Sequence, residues 1–124
     1  MRHELSRAVI EQLSSNILEI IPNKNIVVDK NYLDECWKFY DEQQKTPFRL
    51  LINLKNQHLC SFEGSRDTGS HHLIQKTAFL CSEDDCHSTK HVSLIHEVKE
   101  MTGHFWNHKI FSDRAEAIEW LSDI

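Results

Sequence analysis

The chain has 124 residues, of which 40% are hydrophobic, and a formal net charge of −5. This length can bury one core, so we expect a single domain over residues 1–124. The negative charge disfavours a general nucleic-acid binder, which needs a basic face to replace counterions. No apolar run approaches the roughly 20 residues of a membrane-spanning helix, and residues 1–13 lack the apolar stretch of a signal peptide. We therefore expect a cytoplasmic protein without an integral-membrane part.

The first third of the chain predicts a β-hairpin followed by an amphipathic helix. Residues 8–13 and 17–21 are apolar strand candidates, and the turn residues between them indicate an antiparallel pair. Asp29 is a good N-cap, because its carboxylate can accept hydrogen bonds from the first free amides of a helix. Apolar residues then recur at spacings of three and four up to about residue 43, which predicts one buried helix face. These residues are Tyr32, Leu33, Cys36, Trp37 and Tyr40.

The rest of the chain alternates between predicted strands and helices. Residues 48–54 form a near-continuous apolar run, typical of a strand that is buried on both faces, with Arg49 placed near its start to reach solvent. A weak helix over 61–72, a strand over 74–81, a helix over 87–102, a strand over 108–111 and a helix capped by Asp113 follow. This order predicts an α/β fold with a mixed, mostly parallel five-stranded sheet, four helices and an N-terminal β-hairpin.

Three segments carry a resemblance to a known family. They read LLINLKNQHLCSFEGSR (50–66), TAFLCSEDDCHSTKHVSLIHEVKEM (77–101) and KIFSDRAEAIEWL (109–121). In this order, and over about residues 17–122, the chain resembles the STAS-like, SpoIIAA-like family of small bacterial proteins. The resemblance implies a STAS-like domain and a non-catalytic, regulatory role in protein binding. The best-known relatives are anti-sigma-factor antagonists, which bind a partner and are phosphorylated on a serine at the start of the second helix.

By position, Ser61 matches that serine. A phosphate at a helix start adds about two negative charges to a docking surface. Cys60 and Asn53, however, stand where the family usually has aspartates. Two roles therefore remain open for Ser61, a phosphoacceptor and a simple helix N-cap, since serine is a preferred N-cap residue.

The turns that follow parallel strands gather at the carboxyl-end edge of a sheet, where open α/β folds bind ligands. We therefore expect a ligand or partner edge there, made of His58, Cys60, Ser61, Cys81 and His87. Cys81, Cys86 and His87 are also the best metal-ligand candidates. Their spacing lacks the second ligand pair of a structural zinc site, so we expect no metal and no cofactor.

Three further expectations concern function. The sequence carries no phosphate loop, nucleophile elbow or dinucleotide fingerprint, so we expect a protein that is not an enzyme. The alternatives to a protein-binding module are a carrier or sensor of a small apolar ligand, similar to CRAL-TRIO proteins with residues 61–72 as a lid, and a metal-binding protein. The edge of the hairpin and Trp106 are candidate contacts for a homodimer.

Overall fold

The structure is a computed structural model that describes residues 2–54, 59–60, 71–80 and 107–123. The described strands are β1 (Arg2–Glu4), β2 (Ala8–Ser14), β3 (Ile17–Pro22), β4 (Val27–Val28), β5 (Phe48–Asn53), β6 (Leu59–Cys60), β7 (Ile74–Leu80) and β8 (His108–Phe111). The described helices are α1 (Lys30–Gln43) and α2 (Arg114–Ser122).

Six of these strands form one mixed sheet in the order β1-β2-β3-β5-β7-β8. The first two pairs are antiparallel and the next three are parallel. All five predicted strands are present, which confirms the mixed, mostly parallel sheet with its opening hairpin, and β1 adds a sixth strand at one edge. Two of the four predicted helices are described. The other two, over 61–72 and 87–102, fall outside the described residues except at 71 and 72, which lie in a turn region.

β5 is central, as its apolar sequence predicts. It pairs with β3 on one side and β7 on the other, and Phe48, Leu50 and Leu51 are fully buried. Register partners in parallel strands face the same side of the sheet. Leu18 and Leu50 therefore share the face packed by α1, whereas Leu51 and Ala78 share the face packed by α2.

α1 begins and ends where its sequence directs. The Asp29 side chain accepts a hydrogen bond from the Tyr32 amide at 2.9 Å, which satisfies one free donor of the first turn. The helix ends at Gln43, shortly before Pro47, since the residue ahead of a proline is biased away from helical backbone. The predicted buried face is confirmed for Tyr32, Leu33, Cys36 and Tyr40, while Trp37 is half-buried and Phe39 joins the core.

α2 is held at both ends. Asp113 accepts from the amides of Ala115 and Glu116 at 2.8 and 3.4 Å, which confirms the predicted N-cap. At the other end the Lys76 ammonium donates to the carbonyl of Trp120 at 3.0 Å and to that of Asp123 at 2.8 Å. This cation suits the negative end of the helix dipole.

Arg49, like Lys76, donates to a carbonyl at the C-terminal end of α2. Its guanidinium donates to the carbonyl of Leu121, and the residue is 6% exposed. The prediction that Arg49 reaches solvent is wrong, because α2 covers its face of the sheet and offers a carbonyl acceptor there. A buried guanidinium needs such partners.

The hairpin edge proposed for self-association is paired with another strand. β1 runs antiparallel along β2, with Arg2 opposite Glu11 and Glu4 opposite Val9. Charged residues on a short edge strand disfavour addition of a further strand. Trp106 lies outside the described residues. Neither described helix is both long enough and apolar enough to cross a membrane.

Candidate functional site

The carboxyl ends of β3, β5, β7 and β8 lie at one edge of the sheet, because these four strands are parallel. The chain leaving β3 and the chain leaving β5 meet again beyond this edge. There β4 and β6 pair in parallel, with Val27 opposite Leu59 and Val28 opposite Cys60. The predicted site residue Cys60 is thus paired with Val28, which directly precedes Asp29, the N-cap of α1.

This β4–β6 pair carries an exposed apolar side chain. Val27 is 39% exposed and is the one large hydrophobic residue that is exposed among the described residues. Isolated surface hydrophobics are common and need no special explanation. Val27 lies at the edge where open α/β folds bind their ligands, so it is a candidate contact for a partner.

Asp29 connects this edge to the hairpin. Its carboxylate accepts from the Tyr32 amide and, at 3.2 Å, from the guanidinium of Arg7. The hydrogen bond from the Tyr32 amide, reinforced by the charge of Arg7, lowers the pKa of Asp29 below its usual value. The start of α1 is therefore fixed relative to the β1–β2 turn, and a charged pair lies beside the β4–β6 strands.

A buried carboxylate lies on the α2 face of the same edge. Glu19 of β3 is 2% exposed in its side chain, and Arg114 donates to its two oxygens at 2.5 and 2.7 Å. The Asn53 amide donates to it at 3.0 Å. The hydrogen bonds to Glu19 raise the pKa of Arg114. Because both carboxylate oxygens accept from fixed donors, Glu19 is an anchor for the start of α2 and is poorly placed to exchange protons with a substrate.

The opposite, amino-end edge holds a second polar group. His71 lies before β7, and its Nε2 is 2.9 Å from Oδ1 of Asp41 in α1. The Leu73 amide donates to Nδ1 of the same ring at 3.2 Å. These two partners assign the proton to Nε2, since Nδ1 acts as acceptor. The ring therefore links the last turn of α1 to the start of β7.

A small apolar cavity lies between α1 and the sheet. Its wall includes Cys36, Tyr40, Leu50 and Ile52. The space open to the centre of a water-sized sphere is about 10 Å³, room for about one water molecule. Burial raises the pKa of the Cys36 thiol to about 12, so this cysteine is a packed side chain and not a nucleophile.

Of the predicted site residues, the structure positions the backbone of Cys60, at the β4–β6 pair. The others, His58, Ser61, Cys81, Cys86 and His87, lie outside the described residues. Sequence reasoning missed the Glu19–Arg114 pair, whose members are 95 positions apart. The sequence did contain one signal, a single glutamate inside the apolar strand ILEIIP. A carboxylate buried in such a strand needs a compensating partner.

No known protein-family profile matches the sequence, and a search of curated proteins finds no significant match. Among solved structures, the chain is similar to an uncharacterized protein of the DUF3478 family from Shewanella loihica PV-4, described as having a SpoIIAA-like fold. The two chains share 15% sequence identity with a TM-score of 0.58, over 98% of each chain. The chain therefore has a SpoIIAA-like fold, and the predicted resemblance is confirmed at the level of the fold.

Proposed function

We propose that this protein is a non-catalytic regulatory module that binds a protein partner through its docking edge, defined as β4, β6 and the start of α1. The SpoIIAA-like fold supports this proposal, since the best-known proteins of that type act by binding. Fold alone does not assign a function, so the residues of the docking edge have to support the proposal.

The observation that carries the proposal is the position of Val27. Its apolar side chain is exposed on the β4–β6 pair, and Asp29 of the Arg7–Asp29 ion pair follows it by two residues. A central apolar anchor flanked by charged groups is a common arrangement of a protein-binding surface. Of the polar residues that the structure describes at this edge, Glu19 and Arg114, which could support catalysis, are bonded to each other.

Regulation by phosphorylation is the finer form of the proposal. Ser61 is the residue after β6 in the chain, and it matches the family's phosphorylated serine by position. A phosphate there would add about two negative charges next to the proposed docking edge. Mass spectrometry of the protein from its own host tests this form, and no phosphate on Ser61 under any growth condition would count against it.

The docking edge is tested by placing a charge on its apolar anchor. The tagged chain, its Val27→Asp variant and a Thr46→Asp control are compared in affinity capture from host cells with quantitative mass spectrometry. Thr46 is exposed and lies in the connection between α1 and β5, towards the opposite edge, so the control adds the same charge away from the docking edge. We expect one protein to be captured by the wild type and by Thr46→Asp, and to fall by about tenfold or more with Val27→Asp.

Circular dichroism must first show that both variants fold. Equal capture of every partner by Val27→Asp and the wild type would contradict the proposed docking edge. Loss of capture with both variants would show that the effect of charge is not specific to this edge, and would contradict it as well.

The alternative of an apolar-ligand carrier has a separate test. The cavity under α1 has room for about one water molecule, far less than the several hundred Å³ of a typical ligand pocket. The predicted lid, residues 61–72, falls outside the described residues except at 71 and 72, so the assay and not this cavity decides between the two functions. In a thermal-shift assay, a docking module should show no rise in Tm when fatty acids are added. A clear, saturable rise would favour the carrier over the docking module.

A further inference from the structure

Three side chains of the kinds that bind metals come together at the amino-end edge of the sheet, away from the docking edge. One ligand atom from each of Asp41, His71 and His72 lies within 4.8 Å of the other two. Two imidazoles and a carboxylate are a donor set of zinc sites that keep one coordination position for water. We propose that these three residues bind Zn²⁺.

The ring of His71 is already oriented before any metal binds. Its side chain is 3% exposed, and its ring makes edge contacts with the rings of Trp37 and Tyr40 at centroid distances of 5.6 and 5.3 Å. The freedom of this ring is therefore lost on folding and not on metal binding, which favours affinity. Its Nε2 points at Asp41, whose side chain is 61% exposed, so an ion can reach the pair from solvent.

The distance between the Asp41 and His71 ligand atoms is also close to that of a zinc site. With zinc–ligand bonds of about 2.0–2.2 Å, the ligand atoms of a tetrahedral site lie about 3.3 Å apart. The 2.9 Å between Asp41 Oδ1 and His71 Nε2 needs to open by only a few tenths of an Å. The larger adjustment falls on His72, which is exposed and stacks on His71 with a centroid distance of 4.5 Å. Rotation of this exposed ring brings its nitrogen towards the ion.

Zinc binding would also change the position of the proton on the His71 ring. In the metal-free protein the proton of His71 is on Nε2 and is donated to Asp41, while Nδ1 accepts from the Leu73 amide. Zinc takes the place of the Nε2 proton, so the neutral ring must carry its proton on Nδ1. The hydrogen bond from Leu73 then ends. Its loss should make zinc binding weaker than at a site where a second-shell acceptor holds the Nδ1 proton.

This exchange gives a signature that adventitious binding to exposed side chains does not produce. Zn²⁺ is titrated into the intact, metal-free chain and followed by ¹⁵N NMR. We expect the Leu73 amide to shift with one equivalent of zinc, and the proton on the His71 ring to move from Nε2 to Nδ1. The affinity should fall as the pH is lowered, since protons compete with zinc for the ligands.

Variants then identify the ligands. Asp41→Asn keeps an acceptor for the His71 proton but is a poor zinc ligand, and His72→Ala removes an exposed ring, so neither threatens the fold. Each should weaken the binding of zinc by about tenfold or more. Glu42→Gln is the matched control, an exposed acid next to Asp41 in α1, and should leave the affinity unchanged. A Cys81→Ser/Cys86→Ser double variant should also bind as the wild type does.

Four results would overturn the proposal. They are no zinc binding up to millimolar concentrations, unchanged affinity in either Asp41→Asn or His72→Ala, a Leu73 amide that does not move at saturation, and loss of binding in the double cysteine variant. The last result would place the metal at the cysteines that the sequence offers.

Discussion

Removal of Arg114 should cost the protein a measurable part of its stability. Arg114→Met takes away the guanidinium that donates to both oxygens of Glu19, a carboxylate that is 2% exposed. Breaking a buried ion pair costs about 3–5 kcal/mol, and breaking an exposed one about 0–1 kcal/mol. Arg114 is 44% exposed and Asn53 still donates to Glu19. We therefore expect an intermediate loss of unfolding free energy, about 2 kcal/mol.

Urea unfolding followed by far-UV circular dichroism measures this loss. An unchanged m-value would show that the substitution alters stability and not the surface exposed on unfolding. Arg114→Lys keeps the charge without the two-pronged geometry and should lose about half as much. A double-mutant cycle with Glu19→Gln should give a coupling energy of at least about 1 kcal/mol. A loss below about 0.5 kcal/mol in Arg114→Met, or a coupling near zero, would refute the view that this pair anchors α2.

Three further predictions concern the helix ends and the core. Asp29→Ala should lower the free energy of unfolding in urea by about 1 kcal/mol, and Asp29→Asn by less. Because folding lowers the pKa of Asp29, its contribution to stability is complete above the unfolded-state pKa and is lost as the pH falls through the folded-state pKa. A comparison of the variants with the wild type at pH 7 and in acid measures this loss. The pKa of Cys36 is raised from 9.0 to about 12, so its thiol should not react with a thiol reagent at pH 8 in the folded state. Its contribution to stability should be complete below pH 9.0 and should decline as the pH rises towards 12. Lys76→Met should lose about 1–2 kcal/mol through the uncapped end of α2, whereas the exposed Lys109→Met should stay within about 0.5 kcal/mol of the wild type.

Local signals were sufficient for most of the fold. The apolar run over 48–54 identifies the central strand because burial on both faces excludes polar residues from most positions. Asp29 and Asp113 identify the helix starts because capping is a contact between near neighbours in the chain. The alternation of these strands and helices then predicts a mostly parallel sheet.

Contacts between distant residues were the part that the sequence could not provide. β1 is only three residues long and has no apolar run, so it becomes a strand through its pairing with β2. The β4–β6 pair is two residues on each side, too short for any periodic pattern. Arg49 was misplaced because its acceptor, the carbonyl of Leu121, is 72 positions away. Asp41 and His71, 30 positions apart, escape any spacing rule for metal ligands for the same reason.

The charged residues on the α2 face of the sheet show why function is better sought at the edges. A buried charge on a strand is ordinarily a candidate for catalysis, since burial perturbs its chemistry. Here Glu19 binds the first residue of α2, while Arg49 and Lys76 bind its last carbonyls. Each of these charges thus complements one end of the same helix, and the hydrogen bonds that hold α2 in place also occupy the groups that could act on a substrate. Among the described residues, Val27 at one end of the sheet and Asp41 and His72 at the other are, in contrast, exposed. The proposed docking edge and the proposed zinc site lie at these two ends.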